Sequence, residues 1–475
     1  MNVFDITDFG AVGDGITDNR EAIQTAINKC SELGGGIVRI PGGNVFMTGP
    51  FDLKSYVDFH VESGARILAN PDEKVYTKSA FRDNFKEGSI WIGGENAEKV
   101  SITGKGTIDG NGIAFMGPEE KAAYQLKPFQ DKDPRPHVFT PVKFNSLTIK
   151  EVTFINAAYW CLHLVGCNDV SIEGIRILNN LKIRNSDGID PDHSTNIRIN
   201  NCYIESADDC ICFKTRREYQ EFGPTENITV SNCILRSTSC SIKLGSENID
   251  SIRNIVVSNC IIVGSNRGIG IQNRDEGVIE NIMFSNIVIE GRLFDDVWWG
   301  KAEPIYITSC KRENLDNKDA RWRFAEGQQE GETGKVRNII FSNIICSSEN
   351  GVFVGGDTGK IKNIRFHEVQ VNMEKTTKYK CGFYDLRPSE KGIIQTRNAG
   401  FYLQNVKGVH LQNCSVKWGK TRDNCYGNGL YAENVSGLVV SQFDGEAAFP
   451  EQDEALHLEN CKNVTIEHPG YMSNK

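Results

Sequence analysis

The sequence has 475 residues and no run of eighteen apolar ones, so no segment is long enough to cross a membrane as a helix. It has no basic excess: 53 Lys and Arg stand against 62 Asp and Glu, a formal charge of −9. Without a cationic face to release counterions, it does not read as a nucleic-acid binder. No charged-then-apolar leader precedes Met1-Asn2-Val3-Phe4-Asp5. The expectation is therefore a cytoplasmic protein, or a secreted one if a leader has been removed. The chain is not poor in apolar residues, at 39%, and this excludes disorder. Fifteen cysteines are an odd count in a long chain, so mostly buried, reduced thiols are expected rather than a disulfide scaffold.

A helix is expected near the N-terminus. Asp18-Asn19-Arg20-Glu21 fits a capping box, Ala22, Ile23, Ala26, Ile27 and Cys30 recur at helical spacing, and Gly34-Gly35-Gly36 ends the run. Beyond Ile37 the sequence reads as short strands built on a repeat. Asn196-Ile-Arg-Ile-Asn-Asn-Cys returns at Asn227, at Asn254 and, with Ile for Cys, at Asn281 and Asn338. The steps are 31, 27, 27 and 57 residues, the last being about two periods and so an inserted coil or a long loop. Such a period of alternating strands and turns indicates a β-solenoid; leucine-rich repeats share the period, but their leucine spacing is absent. The repeated Asn should form a ladder at a turn. Cys202, Cys233 and Cys260, each six residues after its Asn, should stack in the interior. One solenoid core makes residues 1–475 a single domain, with a short capping helix near the N-terminus and a long inserted loop around 291–336.

Like residues of successive coils form columns. Aligning Ile189, Ile211, Ile242 and Ile269 as inward residues sets Pro191, Phe213, Leu244 and Ile271 inward as well. Asp190, Cys212, Lys243 and Gly270 then point outward, followed by Asp192, Lys214, Gly245 and Gln272. Just before these strands lie Asp187, Asp208-Asp209, Cys240 and Arg267. Three carboxylates, Asp187, Asp208 and Asp209, thus meet at one lateral position with Lys214 and Lys243 alongside. Such crowding raises at least one pKa and suits a metal, a salt-bridge network or acid–base chemistry; turn aspartates at coil corners are the plainer alternative. Two carboxyl groups about 6.5–9.5 Å apart would serve inverting glycoside hydrolysis, one protonated and one ionised.

With these motifs in place the chain resembles glycoside hydrolase family 28, the polygalacturonase family. Asp8-Phe9-Gly10-Ala11-Val12-Gly13-Asp14-Gly15, Trp160-Cys161-Leu162-His163, Asn185-Ser186-Asp187 and Ser206-Ala207-Asp208-Asp209-Cys210 carry the likeness. The resemblance implies an all-β, right-handed parallel β-helix that hydrolyses pectic oligo- or polysaccharide with inversion and without cofactor or metal. By it, Asp208 is the general acid, and Asp187 and Asp209 hold and activate water. The family's Gly-His-Gly falls on Ser239-Cys240-Ser241 and its cationic Arg-Ile-Lys on Gly270-Ile271-Gln272, so both carboxylate-binding cations are replaced. The substrate contacts expected instead are Lys243, Lys214, Gln272, Arg267 and His163. Trp299, beside Trp298 in the inserted stretch, would stack on a sugar or plug the loop.

Exo action on short oligosaccharides is expected, because long insertions would block one end of a cleft. Two other classes stay open at this point: a calcium-dependent lyase with Lys214 or Lys243 as base, and a hydrolase of a neutral or rhamnogalacturonan-type linkage. A non-catalytic β-helical adhesin or tailspike would need a trimerisation segment, which is absent. Neither a nucleic-acid nor a membrane partner is expected, and the oligomeric state is open. The charged stretch from Lys311 to Lys335 reads as a solvated loop, and Cys210-x-Cys212 is too short and isolated for zinc.

Overall fold

The computed structural model describes residues 2–82, 87–120, 125–128, 133–294, 300–311, 333–386 and 392–467. It divides into two compact units, Met1–Leu235 and Arg236–Lys475.

In the first unit a strand, Val3–Asp5, precedes the helix Arg20–Glu32 and pairs in parallel with Gly36–Ile40. The helix bounds agree with the periodicity, and its face of Ile23, Ala26, Ile27 and Cys30 is fully buried. The start signal works differently from a capping box. Asn19 occupies the N-cap but makes no side-chain cap bond. Its amide instead donates to Val12 O, Thr17 O and Met47 O and accepts from Val12 N, lacing the approach loop to a coil.

Besides an antiparallel pair, Met116–Glu120 with Gln125–Pro128, the rest of the unit is built on parallel sheets, two of whose ladders position the site. In one, Glu98–Gly104, Asn145–Lys150, Asn168–Glu173, Thr195–Asn200 and Thr225–Ser231 pair in succession. Their alternation is inward apolar, outward polar: Leu147, Val170, Ile197 and Ile228 form one buried column, and Ile149, Ile172, Ile199 and Val230 the next. Each fully buried aliphatic side chain contributes about 1.5–3 kcal/mol. The other sheet runs through Phe51–Asp52, Glu87–Gly93, Asp133–Phe139, Leu162–Val165, Ile189–Asp192 and Ile211–Thr215. It carries the carboxylates.

The second unit repeats this plan. Ile252–Ser265, Val278–Gly291, Lys335–Ser348 and Ile361–Met373 stack in register, with Phe284, Phe341 and Phe366 in parallel contact at 5.1 Å centroid spacing. Cys240–Asn248, Arg267–Asn273, Ile305–Ser309, Val352–Gly356 and Phe401–Gln404 form its second sheet. The step of 57 residues from Asn281 to Asn338 resolves as a single coil, since Val278–Gly291 pairs directly with Lys335–Ser348 and insertions flank Ile305–Ser309.

The asparagine ladder is present in both units. Asn196 Nδ2 donates to Asn168 Oδ1 at 2.7 Å and Asn227 to Asn196 at 3.3 Å; Asn338 donates to Asn281 at 3.1 Å and Asn363 to Asn338 at 2.9 Å. Asn196, Asn227, Asn254, Asn281, Asn338 and Asn363 all have φ between 56° and 60°, a left-handed conformation that Asn tolerates better than other side chains. The same residue thus makes both the turn and the ladder. Cys202, Cys233 and Cys260 are buried, each thiol facing the carbonyl two residues before it at 3.2–3.3 Å. One cysteine pair departs from the expectation of reduced thiols: Cys381 and Cys425 form a disulfide.

Candidate active site

The turn before Ile189–Asp192 and the turn before Ile211–Thr215 bring three aspartates together. Asn185 turns the chain with φ 57°. Ser186 O then accepts from Asn179 Nδ2 and Ser206 Oγ, while Ser186 Oγ accepts from Ala207 N. Gly188 is required at this point, because a Cβ there would lie 2.4 Å from Cys210 O. Its N–H donates to Asp209 O at 2.8 Å. One oxygen each from Asp187, Asp208 and Asp209 lies within 4.8 Å of the other two. All three are buried, Asp208 being the most exposed at 5% against 2% for Asp187 and 1% for Asp209.

The crowding has the expected electrostatic effect, and it falls on Asp187. Burial, then the charges of Asp208, Asp190 and Asp209, push its carboxyl well above the usual carboxylate range, and Lys214 only partly opposes this. Asp187 Oδ1 has no hydrogen-bond partner among the described residues. Burial and the neighbouring carboxylates thus disfavour the charged form of Asp187. The separation differs from the 6.5–9.5 Å expected of paired carboxyls. The nearest oxygens are closer, and the physical reason is that both turns sit on adjacent coils, one strand spacing apart.

The columns align as the inward isoleucines require: Asp192 lies opposite Lys214, Lys243 opposite Gly270, and Gly245 opposite Gln272. Their outward positions are not solvent-exposed, however. Asp190, Asp192, Cys212 and Lys214 are all buried, under a layer of rings that includes Phe81, Trp160 and Tyr219. Lys214 Nζ is 3.7 Å from Asp190 and 4.5 Å from the Trp160 ring centre. His163 is fully buried, with Nε2 3.1 Å from Asp192 Oδ2. Burial holds His163 below the ordinary histidine range despite that bond, so it is neutral and Nε2–H donates. Burial pushes Asp192 up, but the bond from His163 and the neighbouring His193 and Arg216 more than reverse this and hold it below the usual carboxylate range.

In the second unit, Arg267 is buried in a two-pronged ion pair with Glu303, both N–O distances being 3.1 Å, and its guanidinium lies 3.6 Å from the Tyr306 ring centre. Gln272 is 8% exposed, and Lys243 is half-buried. Trp299 and Trp298 lie outside the described residues, as do residues 312–332 of the charged stretch. Arg135, His137 and Arg216 escaped the sequence reading. Arg135 Nη2 donates to Asn185 Oδ1 at 3.3 Å, and the Asn185 amide in turn lies 3.5 Å from Asp208 Oδ2. No repeat flags Arg135; only its position on the sheet that carries the carboxylates would have drawn attention to it.

Compared with known proteins, residues 30–297 match the model of Glycosyl hydrolases family 28, more than half of the sequence. The chain belongs to glycosyl hydrolases family 28. A probable polygalacturonase of Vitis vinifera is 31% identical over 260 residues, 51% of each chain; the chain spans about half the length of the curated relatives it matches. Two solved structures share the fold. The family 28 exopolygalacturonase of Yersinia enterocolitica superposes with a TM-score of 0.71 at 17% identity, over 98% of this chain and 78% of its own. The hyperthermoactive exopolygalacturonase of Thermotoga maritima gives 0.61 at 23%, over 78% and 87%. The fold is accordingly the right-handed parallel β-helix of family 28.

Proposed function

We propose that this family 28 member is an exo-acting hydrolase of pectic oligo- or polysaccharide, working by single displacement. The observation that carries the reading is the buried triplet Asp187, Asp208 and Asp209, with oxygens within 4.8 Å and the Asp187 carboxyl pushed up by burial and its neighbours. Crowded carboxyls whose proton affinities are pushed apart can supply both an acid and a base, the complement that acid–base hydrolysis needs. Asp208, the most exposed of the three, donates to the leaving glycosidic oxygen. Asp187 and Asp209 share the attacking water. A water hydrogen-bonded to two oxygens at about 2.7 Å each spans roughly 4.5 Å between them, which is why a short separation suits a pair that holds water. The names of the relatives, polygalacturonase and exopolygalacturonase, supply the substrate class and the mode.

The test is digestion of a pectic oligosaccharide panel with products identified by mass, and the first-formed anomer read by NMR. Single units leaving one chain end, with inverted configuration, are expected. Retained configuration would exclude single displacement, and an early fall in polymer viscosity would exclude exo action. An unsaturated, ultraviolet-absorbing product that EDTA suppresses would identify a lyase. Asp208→Asn should lower turnover by about 10²–10⁴-fold; near-wild-type turnover would remove Asp208 as the acid.

A second reading has its own support. The guanidinium of Arg267 is already engaged by Glu303 through two bonds, and Gln272 rather than a cation stands in the outward column next to Gly245. A neutral sugar at one subsite, as in a rhamnogalacturonan-type linkage, fits that arrangement.

A further inference from the structure

Beside the carboxylate triplet, the first unit holds a box of rings with polar atoms that meet no partner. Phe81 is at its centre. Its ring lies 5.1 Å from His137, 5.2 Å from Trp160, 5.8 Å from Tyr159 and 6.3 Å from His163, centre to centre. The Arg216 guanidinium carbon is 4.2 Å from the Phe81 ring centre. His137 is fully buried, yet neither ring nitrogen has a hydrogen-bond partner among the described residues, and His163 Nδ1 has none either. Buried polar atoms in a native structure are nearly always paired, so three orphans around one ring need an explanation.

The backbone has been thinned to make this contact. Gly88 sits at φ 60°, and a Cβ there would lie 2.6 Å from Phe81 Cε2 and 2.7 Å from His137 Nε2. The strip bearing Phe81 is held by the Ser79 hydroxyl, which bonds both Phe81 N and Phe81 O, by Ala80 N to Gly88 O, and at its flanks. Tyr219 Oη donates to Ala80 O at 2.6 Å, and Arg82 pairs with Glu221 at 2.5 Å through half-exposed side chains.

We propose that the Phe81 ring holds the place of a terminal uronic acid ring, and that this box is a closed subsite for a chain end. A pyranose ring is close to a phenyl ring in size, and Trp160 and Tyr159 would take its C–H faces. His137 and His163 would bond its hydroxyls, and Arg216, which pairs with Glu218 through Nε at 2.7 Å, would add a charge-assisted bond to its carboxylate. The lining residues His137, Tyr159, Trp160 and His163 are all at most 4% exposed, so the box is closed around Phe81 and leaves no room for a chain to run on. It adjoins the triplet through Trp160, over which Lys214 sits, and Lys214 is one of the charges acting on Asp187. The proposal rests on the reading of the chain as a uronide hydrolase and names the group that fixes its exo mode.

Calorimetric titration of D-galacturonic acid into the full-length protein tests it, with D-galactose as the neutral control. Wild type should bind weakly, because occupied subsites discount affinity by the fraction open. Phe81→Ala should bind about tenfold tighter or better, with galactose gaining less, and Phe81→Ala/His137→Ala should lose the gain. Phe81→Leu, which keeps apolar burial, carries the same expectation in smaller measure should the alanine variant not fold. No gain in a folded Phe81 variant, or equal gains for galacturonate and galactose, would overturn the box. Because binding is read without turnover, that result leaves the hydrolase reading standing, and a protein that binds without cleaving any pectic oligomer would do the reverse.

Discussion

Asp187→Asn should stabilise the protein while inactivating it. The substitution keeps the shape of the protonated acid and removes its charge. Two unit charges 4.8 Å apart, the outer limit of the separations in the triplet, repel by about 3.5 kcal/mol at an effective dielectric near 20. Protonation limits the cost. Keeping a carboxyl with an ordinary value of about 3.9 protonated at pH 7 costs roughly 4 kcal/mol, at about 1.36 kcal/mol per unit. Lys214 and lost bonds offset part of this, leaving an expected gain of about 1–3 kcal/mol at pH 7. The sign follows from the direction of the shift. Asp187 is raised in the folded state, so the folded protein binds more protons than the unfolded chain, and stability falls as pH climbs from about 4 towards the folded value. The variant escapes that loss. Urea midpoints of wild type and variant should therefore coincide near pH 4 and separate progressively by pH 7. A pH-independent difference, or a variant less stable at pH 7, would refute the account of a strained triplet.

Three further outcomes are expected. Cys202, Cys233 and Cys260, buried in the stacked coils, should resist a thiol reagent in the native protein and react after denaturation; mass mapping of the labelled sites decides this. Glu303→Gln removes the carboxylate that pairs with the buried Arg267 guanidinium and should cost about 3–5 kcal/mol of stability, measured by urea denaturation, whereas an unchanged midpoint would mean that the pair is not formed. Lys243→Met should weaken action on an acidic oligosaccharide more than on its carboxyl-reduced form, by the roughly 1.5–3 kcal/mol of a charge-assisted bond; equal losses on both would show that Lys243 does not read charge.

The coil register was legible because the repeat writes it out. A left-handed turn every coil selects Asn, the turn fixes which residues face inward, and the inward isoleucines then align Asp192 with Lys214 and Lys243 with Gly270. The meeting of Asp187 with Asp208 and Asp209 followed from that alignment alone. What covers the site did not. Phe81 reaches Trp160 and His163 from far upstream, outside any repeat, and converts an outward column into a buried one. Periodicity reports which side of a sheet a residue is on, not whether another segment lies over that side. The helix bounds were legible, but the device at its start was not, for a related reason. Asn19 has the residue type of a cap, but its amide is consumed by the loop and coil around it, which local spacing does not register. The bond between Cys381 and Cys425 likewise joins residues 44 apart that no repeat relates.

The single coil between Asn281 and Asn338 works as a mounting rail. On both sides of it the strands pair residue for residue, from Val278 opposite Lys335 to Gly291 opposite Ser348. The chain leaves the rail and returns to it on either side of Ile305–Ser309 without shifting that pairing. Doubling the length of a flexible excursion costs only about 0.6 kcal/mol of closure entropy, less than the ~0.8 kcal/mol of one buried methylene. Segments at these two points can therefore be lengthened, shortened or exchanged almost without thermodynamic consequence for the ladder beneath. Whatever is mounted there is free to diverge, while the paired strands of the rail keep the pace of a core.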